Sequence, residues 1–136
     1  MAKFVATDVS VTLNGTAISS ALNGIELAIT GNEVETTTFG DGGWKTVTGG
    51  IKSGSVRFDF MQDFGAGGVD ALLYPLINTA ATVVIKPTSG SVSATNPAYT
   101  AVALVNSYTP VSASTGDLVS FSITLPTTGA ITRATA

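Results

Sequence analysis

The 136-residue chain contains no cysteine and no histidine. Without thiols there is neither a disulfide framework nor a thiolate metal site, so the fold must be held by its core, and synthesis in a reducing cytoplasm is expected. Without imidazole the usual general base is missing, and most nucleophile-and-base arrangements close with it. Charge is also scarce: 11% of residues are charged, less than half of the roughly 25% ordinary for soluble domains, and mean hydropathy is +0.41. A lone domain so composed would be poorly solvated, which points to a Ser/Thr/Gly/Asn surface largely covered by neighbours, and hence to self-assembly. The competing reading is a neutral, Thr/Ser-rich monomeric β-sandwich. No apolar run approaches the roughly 18–20 residues of a membrane span, and Thr7 and Asp8 interrupt the opening MAKFVATDVS before it reaches signal-peptide length. Six basic residues, scattered among nine acidic ones, oppose specific recognition of nucleic acid.

What is present is periodicity two. The length suits one domain over residues 1–136. Val9, Val11 and Leu13 alternate with polar residues and run into an Asn14-Gly15 turn; Ile25, Leu27 and Ile29 form a second strand, which Glu33 to Phe39 prolongs outward. Gly40 to Gly50 reads as a long, specialised loop around the only tryptophan, Trp44. Val56, Phe58 and Phe60 give a strand with one aromatic face and an outer face carrying Arg57 and Asp59. Val69, Leu72, Leu73, Leu76 and Ile77 follow the helical period, but Pro75 predicts a short helix that ends near Tyr74 or tails into a further turn. Further strands are expected at Thr82 to Lys86, at Tyr99 to Tyr108 with apolar residues on both faces and therefore burial on both sides, and at Val119 to Leu125 with Ser120, Ser122 and Thr124 outward. The fold class expected is mainly β, a sandwich or barrel with one short flanking α-helix.

Few residues could carry chemistry. Glu33 with Glu35, and Asp59 with Asp63, could be paired acids of the glycosidase kind, although such pairs are ordinarily solvated strand faces. Phe39 to Gly43, FGDGG, lacks the GK[ST] of a phosphate cradle, and Asp41, Asp63 and Asp70 lack calcium-loop spacing, so no metal and no cofactor is expected. Trp44, a large aromatic in a glycine-rich loop, must find a partner surface on its own core or on a neighbour.

The runs ETTTFGDGGWKTVTGGIKSGSVRFDFMQDF and GGVDALLYPLI, and the stretch from Lys86 to Thr135 with its NPxY step at Asn96 to Tyr99, its GDL at Gly116 and its closing TGAITR, resemble the major tail tube proteins of long-tailed (siphovirus-type) bacteriophages. The resemblance covers nearly the whole chain and contains no catalytic signature. The Gly42-Gly43 pair departs from the family's usual pattern. What it implies is a non-enzymatic subunit of hexameric rings stacked into a hollow tube, with strands from all protomers joining one continuous barrel. The lumen would conduct genomic DNA during ejection without binding it specifically. Partners would be copies of itself and the tail-tip initiator, tape-measure and terminator proteins; the location would be the virion tail, after synthesis in the host cytoplasm, with no membrane involved. The long loop, about residues 31–52, would reach the adjacent ring through Glu33, Glu35, Phe39, Asp41, Trp44 and Lys45, and residues 127–136 would form a C-terminal arm that helps stacking. Lumen candidates are Arg57 and Asp59 or, equally, Ser120, Ser122 and Thr124. The alternative is a β-sandwich capsid decoration or adhesion module.

Overall fold

The computed structural model describes residues 3–136. Alternation makes strand β1 (Ser10–Leu13), with Val11 and Leu13 buried. Asn14 and Gly15, both at positive φ (51° and 83°), return the chain into a two-residue strand, β2 (Thr16–Ala17), too short to show any alternation. Strands β3 (Leu22–Glu35) and β4 (Val47–Met61) form a long antiparallel ribbon, paired from Leu22 with Phe60 out to Glu35 with Val47. The ribbon corrects the loop expected over Gly40 to Gly50: Gly49 and Gly50 belong to β4, and only residues 36–46 lie outside the strands. The short helix is as the proline dictates, α1 (Val69–Leu73) followed by one 3-10 turn, Tyr74–Leu76, that accommodates Pro75 near its start.

Strands β5 (Ala80–Lys86), β6 (Ala98–Leu104) and β7 (Ser120–Ala134) complete one antiparallel sheet in the order β2-β1-β5-β6-β7-β4-β3. The sheet ends at β2 and at β3 and does not close, so the sandwich-like alternative holds and the single-chain barrel does not. Its bend lies in β7. Residues 120–126 pair with β4, whereas residues 127–134 pair with β6 across a register shift opposite Ala101. A strand that changes partners half-way lets two parts of one sheet face each other. The C-terminal arm expected over 127–136 is thus, as far as Ala134, sheet.

One core joins both parts. Val11, Leu13, Val83, Ala103 and Val105 meet Val56, Phe58, Phe60, Phe121, Ile123 and Leu125, and α1 contributes Val69 and Leu73. Phe60 stacks against Phe58 and Phe121 at ring distances of 5.4 and 5.1 Å, and Tyr108 meets Phe121 edge-on at 5.4 Å. Truncating such a ring to alanine costs about 3–5 kcal/mol. The expectation of two-sided burial for β6 is not met within one chain: Ala101 and Ala103 are buried, while Val102 and Leu104 on the other face are only half-buried.

The distinctive motifs do structural work. Asn96 is buried and spans the loop after β5: its Oδ1 accepts from the Thr88 amide at 3.0 Å, and its Nδ2 donates to the carbonyls of Gly90 and Ser91 at 3.0 and 3.1 Å. Gln62 donates through Nε2 to the Pro110 carbonyl at 2.7 Å and to the Tyr108 hydroxyl at 3.0 Å, and that hydroxyl donates to Asp70 Oδ1 at 2.7 Å. These bonds tie the segment after β6 to α1 and to the end of β4. Removal from water, then the Asp70 carboxylate beside it, pushes the Tyr108 phenol above its ordinary pKa.

Candidate assembly surfaces

The first surface is the outer part of the β3–β4 ribbon. Strand β4 pairs with β7 only from Ser55 onward, so between Val47 and Gly54 its one strand partner among the described residues is β3. This arm exposes Ile29, Val34, Val47 and Ile51 to solvent.

Its tip is ordered by local chemistry. Thr38 and Asp41 form a reciprocal capping box around the 3-10 turn Phe39–Asp41. Asp41 Oδ2 accepts from the Thr38 amide at 2.7 Å and from the hydroxyls of Thr38 and Thr46, each at 3.3 Å, while the Asp41 carbonyl receives the Trp44 amide at 3.1 Å. Gly42 and Gly43 stand at φ 63° and 86°, consecutive left-handed positions that side chains resist, which is why the tip needs a glycine pair. Phe39 is fully exposed and Trp44 is 79% exposed, so the tryptophan does not fold back onto its own core. Lys45 pairs with Glu33 at 3.4 Å in the open, a bond worth little by itself. Glu35 accepts from the Thr37 hydroxyl at 3.2 Å. Glu33 and Glu35 therefore lie two residues apart on one strand of an exposed arm, not on opposite walls of a cleft as a pair of glycosidase acids requires.

The second surface is the outer face of β3, β4 and β7. Cross-strand register sets Arg57 opposite Thr124, Asp59 opposite Ser122 and Met61 opposite Ser120, with Glu26 opposite Arg57 on the other side. The two sets of residues considered separately from sequence are one face. Arg57 Nη2 reaches Asp59 Oδ1 at 3.2 Å, and the Ser122 hydroxyl donates to the same oxygen at 2.5 Å. Asp59 also lies against Gly24, where a Cβ would come within 2.4 Å of its Oδ2. With Glu26 and Asp59 against Arg57, the charged part of this face has a slight acid excess.

A chain from the virion of a native gene transfer agent particle superposes with a TM-score of 0.73, covering 97% of this chain and 99% of that one at 16% sequence identity. The two chains share a fold. The alignment spans nearly the whole length of both chains. No protein-family model matches the chain, and no curated protein sequence does either.

A third feature carries no signal in the linear sequence. Ala6, Val9 and Val11 from the N-terminal side and Leu22 and Ile25 from the start of β3 line an open groove of about 370 Å³, together with Thr7, Ser19, Asn23 and Gly24. The residues come from three separate stretches, and only the fold assembles them. Nearby, Asp8 anchors the N-terminal segment to the loop after β5: its Oδ2 accepts from the Ser89 hydroxyl at 2.6 Å and the Ser89 amide at 3.2 Å, and these two bonds hold its carboxyl below the ordinary pKa. Among the described residues no helix is long and apolar enough to cross a membrane.

Proposed function

We propose that this protein is the repeating, non-enzymatic subunit of a virion tail tube, built as stacked rings of six copies whose lumen passes DNA. The observation that carries the reading is the β3–β4 arm: a long ribbon with exposed apolar residues and an ordered, solvent-facing aromatic tip, in a fold shared with a chain from the virion of a gene transfer agent particle. A monomer gains nothing from holding Phe39 and Trp44 in water; a subunit that must grip the next ring does. The scarcity of charge agrees, since a protomer covered on most sides has little surface to solvate.

Within a ring, the open edge of β3 would continue into a neighbour's strands, removing an exposed edge of fourteen residues. The face bearing Arg57, Asp59, Ser120, Ser122 and Thr124 would line the lumen. Its one cation, Arg57, is already paired with Asp59, and the slight acid excess disfavours phosphate, which suits passage rather than binding. Copies of the chain would be joined in the virion by the tip, tape-measure and terminator proteins that such a tube needs.

Negative-stain electron microscopy of the purified protein at high concentration, with light scattering, tests this reading. Hollow filaments of stacked rings are expected, alone or after addition of a tail-tip complex. A particle that stays monomeric or trimeric under both conditions would instead identify a capsid decoration or adhesion module.

A further inference from the structure

The tail-tube reading says that the arm touches another ring; the structure also points to where. Strand β3 has fourteen residues, so at about 3.3 Å per residue its two ends are roughly 40 Å apart. The aromatic tip follows its last residue, Glu35, and the groove of about 370 Å³ is built on its first ones, Leu22 to Ile25. The tip of one chain therefore cannot reach the groove of the same chain along a paired ribbon. Each copy carries one tip and one groove, at opposite ends of one rigid element.

The two are matched in character. None of the residues lining the groove is charged, and its walls include Val9, Leu22 and Ile25 beside the polar Thr7 and Asn23. Phe39 sits between Thr38 and Gly40, again without charge, and Trp44, five residues on in the same tip and followed by the Lys45 that pairs with Glu33, supplies an indole N–H for a polar rim. Size says what kind of partner can use the groove. Phe and Trp each bury roughly 150–250 Å², so one tip supplies about 300–500 Å², well short of the roughly 800 Å² per partner of a stable interface. A soluble partner offering one such contact would not be retained. A ring presenting several tips at once would be, because linked contacts reinforce one another.

We propose that the groove at the root of the β3–β4 ribbon receives the aromatic tip of the same ribbon from a second copy, joining subunits head to tail. The contact is heterologous and does not close, so it propagates along the ribbon direction with a repeat of roughly 40 Å. This proposal rests on the tail-tube reading.

The absence of cysteine makes a direct test possible. Gly40→Cys keeps both aromatics and places a thiol beside the tip, and Asn23→Cys places one at the exposed rim of the groove. Filaments of the double variant, oxidised, are expected to give a ladder of disulfide-linked multimers, and a control pairing Gly40→Cys with Ser114→Cys is expected to lack it. Since Trp44 is the only tryptophan, unmodified protein gives a second readout: its emission should shift to the blue and lose access to acrylamide on polymerisation. Filaments that form with no ladder, or with Trp44 as accessible as in the monomer, would overturn the groove assignment and leave the tube standing. Failure of unmodified protein to form filaments with a tail-tip complex would remove the tube reading itself, and this proposal with it.

Discussion

Ile131 lies directly over Gly54: a Cβ built on the glycine would stand 2.5 Å from Ile131 Cδ1, 2.9 Å from the Ala28 carbonyl and 3.1 Å from Thr127 Oγ1. This is the point where β7 leaves β4 for β6, and the Thr127 hydroxyl bonds the Gly54 carbonyl at 3.1 Å. Gly54→Ala should therefore push the bend apart and cost about 1–3 kcal/mol. Gly31→Ala, on the open arm with nothing within 4 Å of the added methyl, should stay within about 0.5 kcal/mol. Urea titration checks both: the first variant lowers the midpoint with an unchanged slope, and equal midpoints would contradict the packing.

Tyr108 offers a test through pH. Its folded pKa is raised above 10.0, by loss of water first and by Asp70 after it, so the phenol is held neutral in the folded state. A raised value means that its contribution is complete below about pH 10 and is lost as pH climbs through the folded pKa. Tyr108→Phe removes the bonds to Asp70 and Gln62 and should cost about 1–3 kcal/mol at neutral pH. The difference between the two proteins should shrink above pH 10, as measured by denaturation at a series of pH values. A difference that grows with pH would reverse the assignment.

How much of this was legible in sequence depends on how local the cause was. The strands around Val11, Phe58 and Phe121 announce themselves, because a half-buried strand writes its burial as alternation. Pro75 stops the helix where its missing N–H requires. By contrast, β2 is too short to alternate, and Gly49 and Gly50 look like loop because glycine content hides strand pairing that is specified by the opposite strand. Val102 and Leu104 mislead in an instructive way: their pattern asks for cover that one chain does not provide. The candidate tip residues were visible as a cluster, but the role of Asp41 as its organiser was missed, although the T-x-x-D spacing at Thr38 is a signal that could have found it. That Arg57 and Ser122 share a face is a matter of register, and the groove is a matter of tertiary structure; neither has a one-dimensional trace.

Trp44→Ala separates folding from assembly. The side chain is 79% exposed and touches no core, so the variant should unfold within about 0.5 kcal/mol of the unmodified protein. Filaments should nevertheless shorten or fail to form in negative-stain images. Filaments of normal length would take the contact away from Trp44.

Asp41→Ala should act on the same contact without touching an aromatic. It removes the acceptor for the Thr38 amide and for two threonine hydroxyls, and loss of such a cap costs about 0.5–2 kcal/mol locally. The core lies elsewhere, so the global midpoint should hardly move, while polymerisation should require a higher protein concentration. Asp41→Asn keeps an oxygen acceptor and should recover most of the loss; equal defects in both variants would point to charge rather than to the ordered turn.

The proposed lumen face makes the sharpest electrostatic prediction. Thr124 is exposed and stands opposite Arg57, so Thr124→Lys adds a second cation to the face without entering the core. Six copies per ring would cancel the slight acid excess of the wall and set a second ring of cations beside the Arg57 ring, and a polymer of phosphates should then be held more strongly than by the unmodified wall, with a dependence on salt. Duplex fragments mixed with preformed filaments should be retained by the variant at low ionic strength and released as salt rises, while unmodified filaments retain none. The same lysine placed at Thr132, exposed on the opposite part of the sheet, should leave passage through the lumen unaffected. If the two variants slow DNA ejection equally, the lumen lies elsewhere; if only Thr124→Lys does, the face of Arg57, Asp59 and Ser122 is the wall that DNA passes.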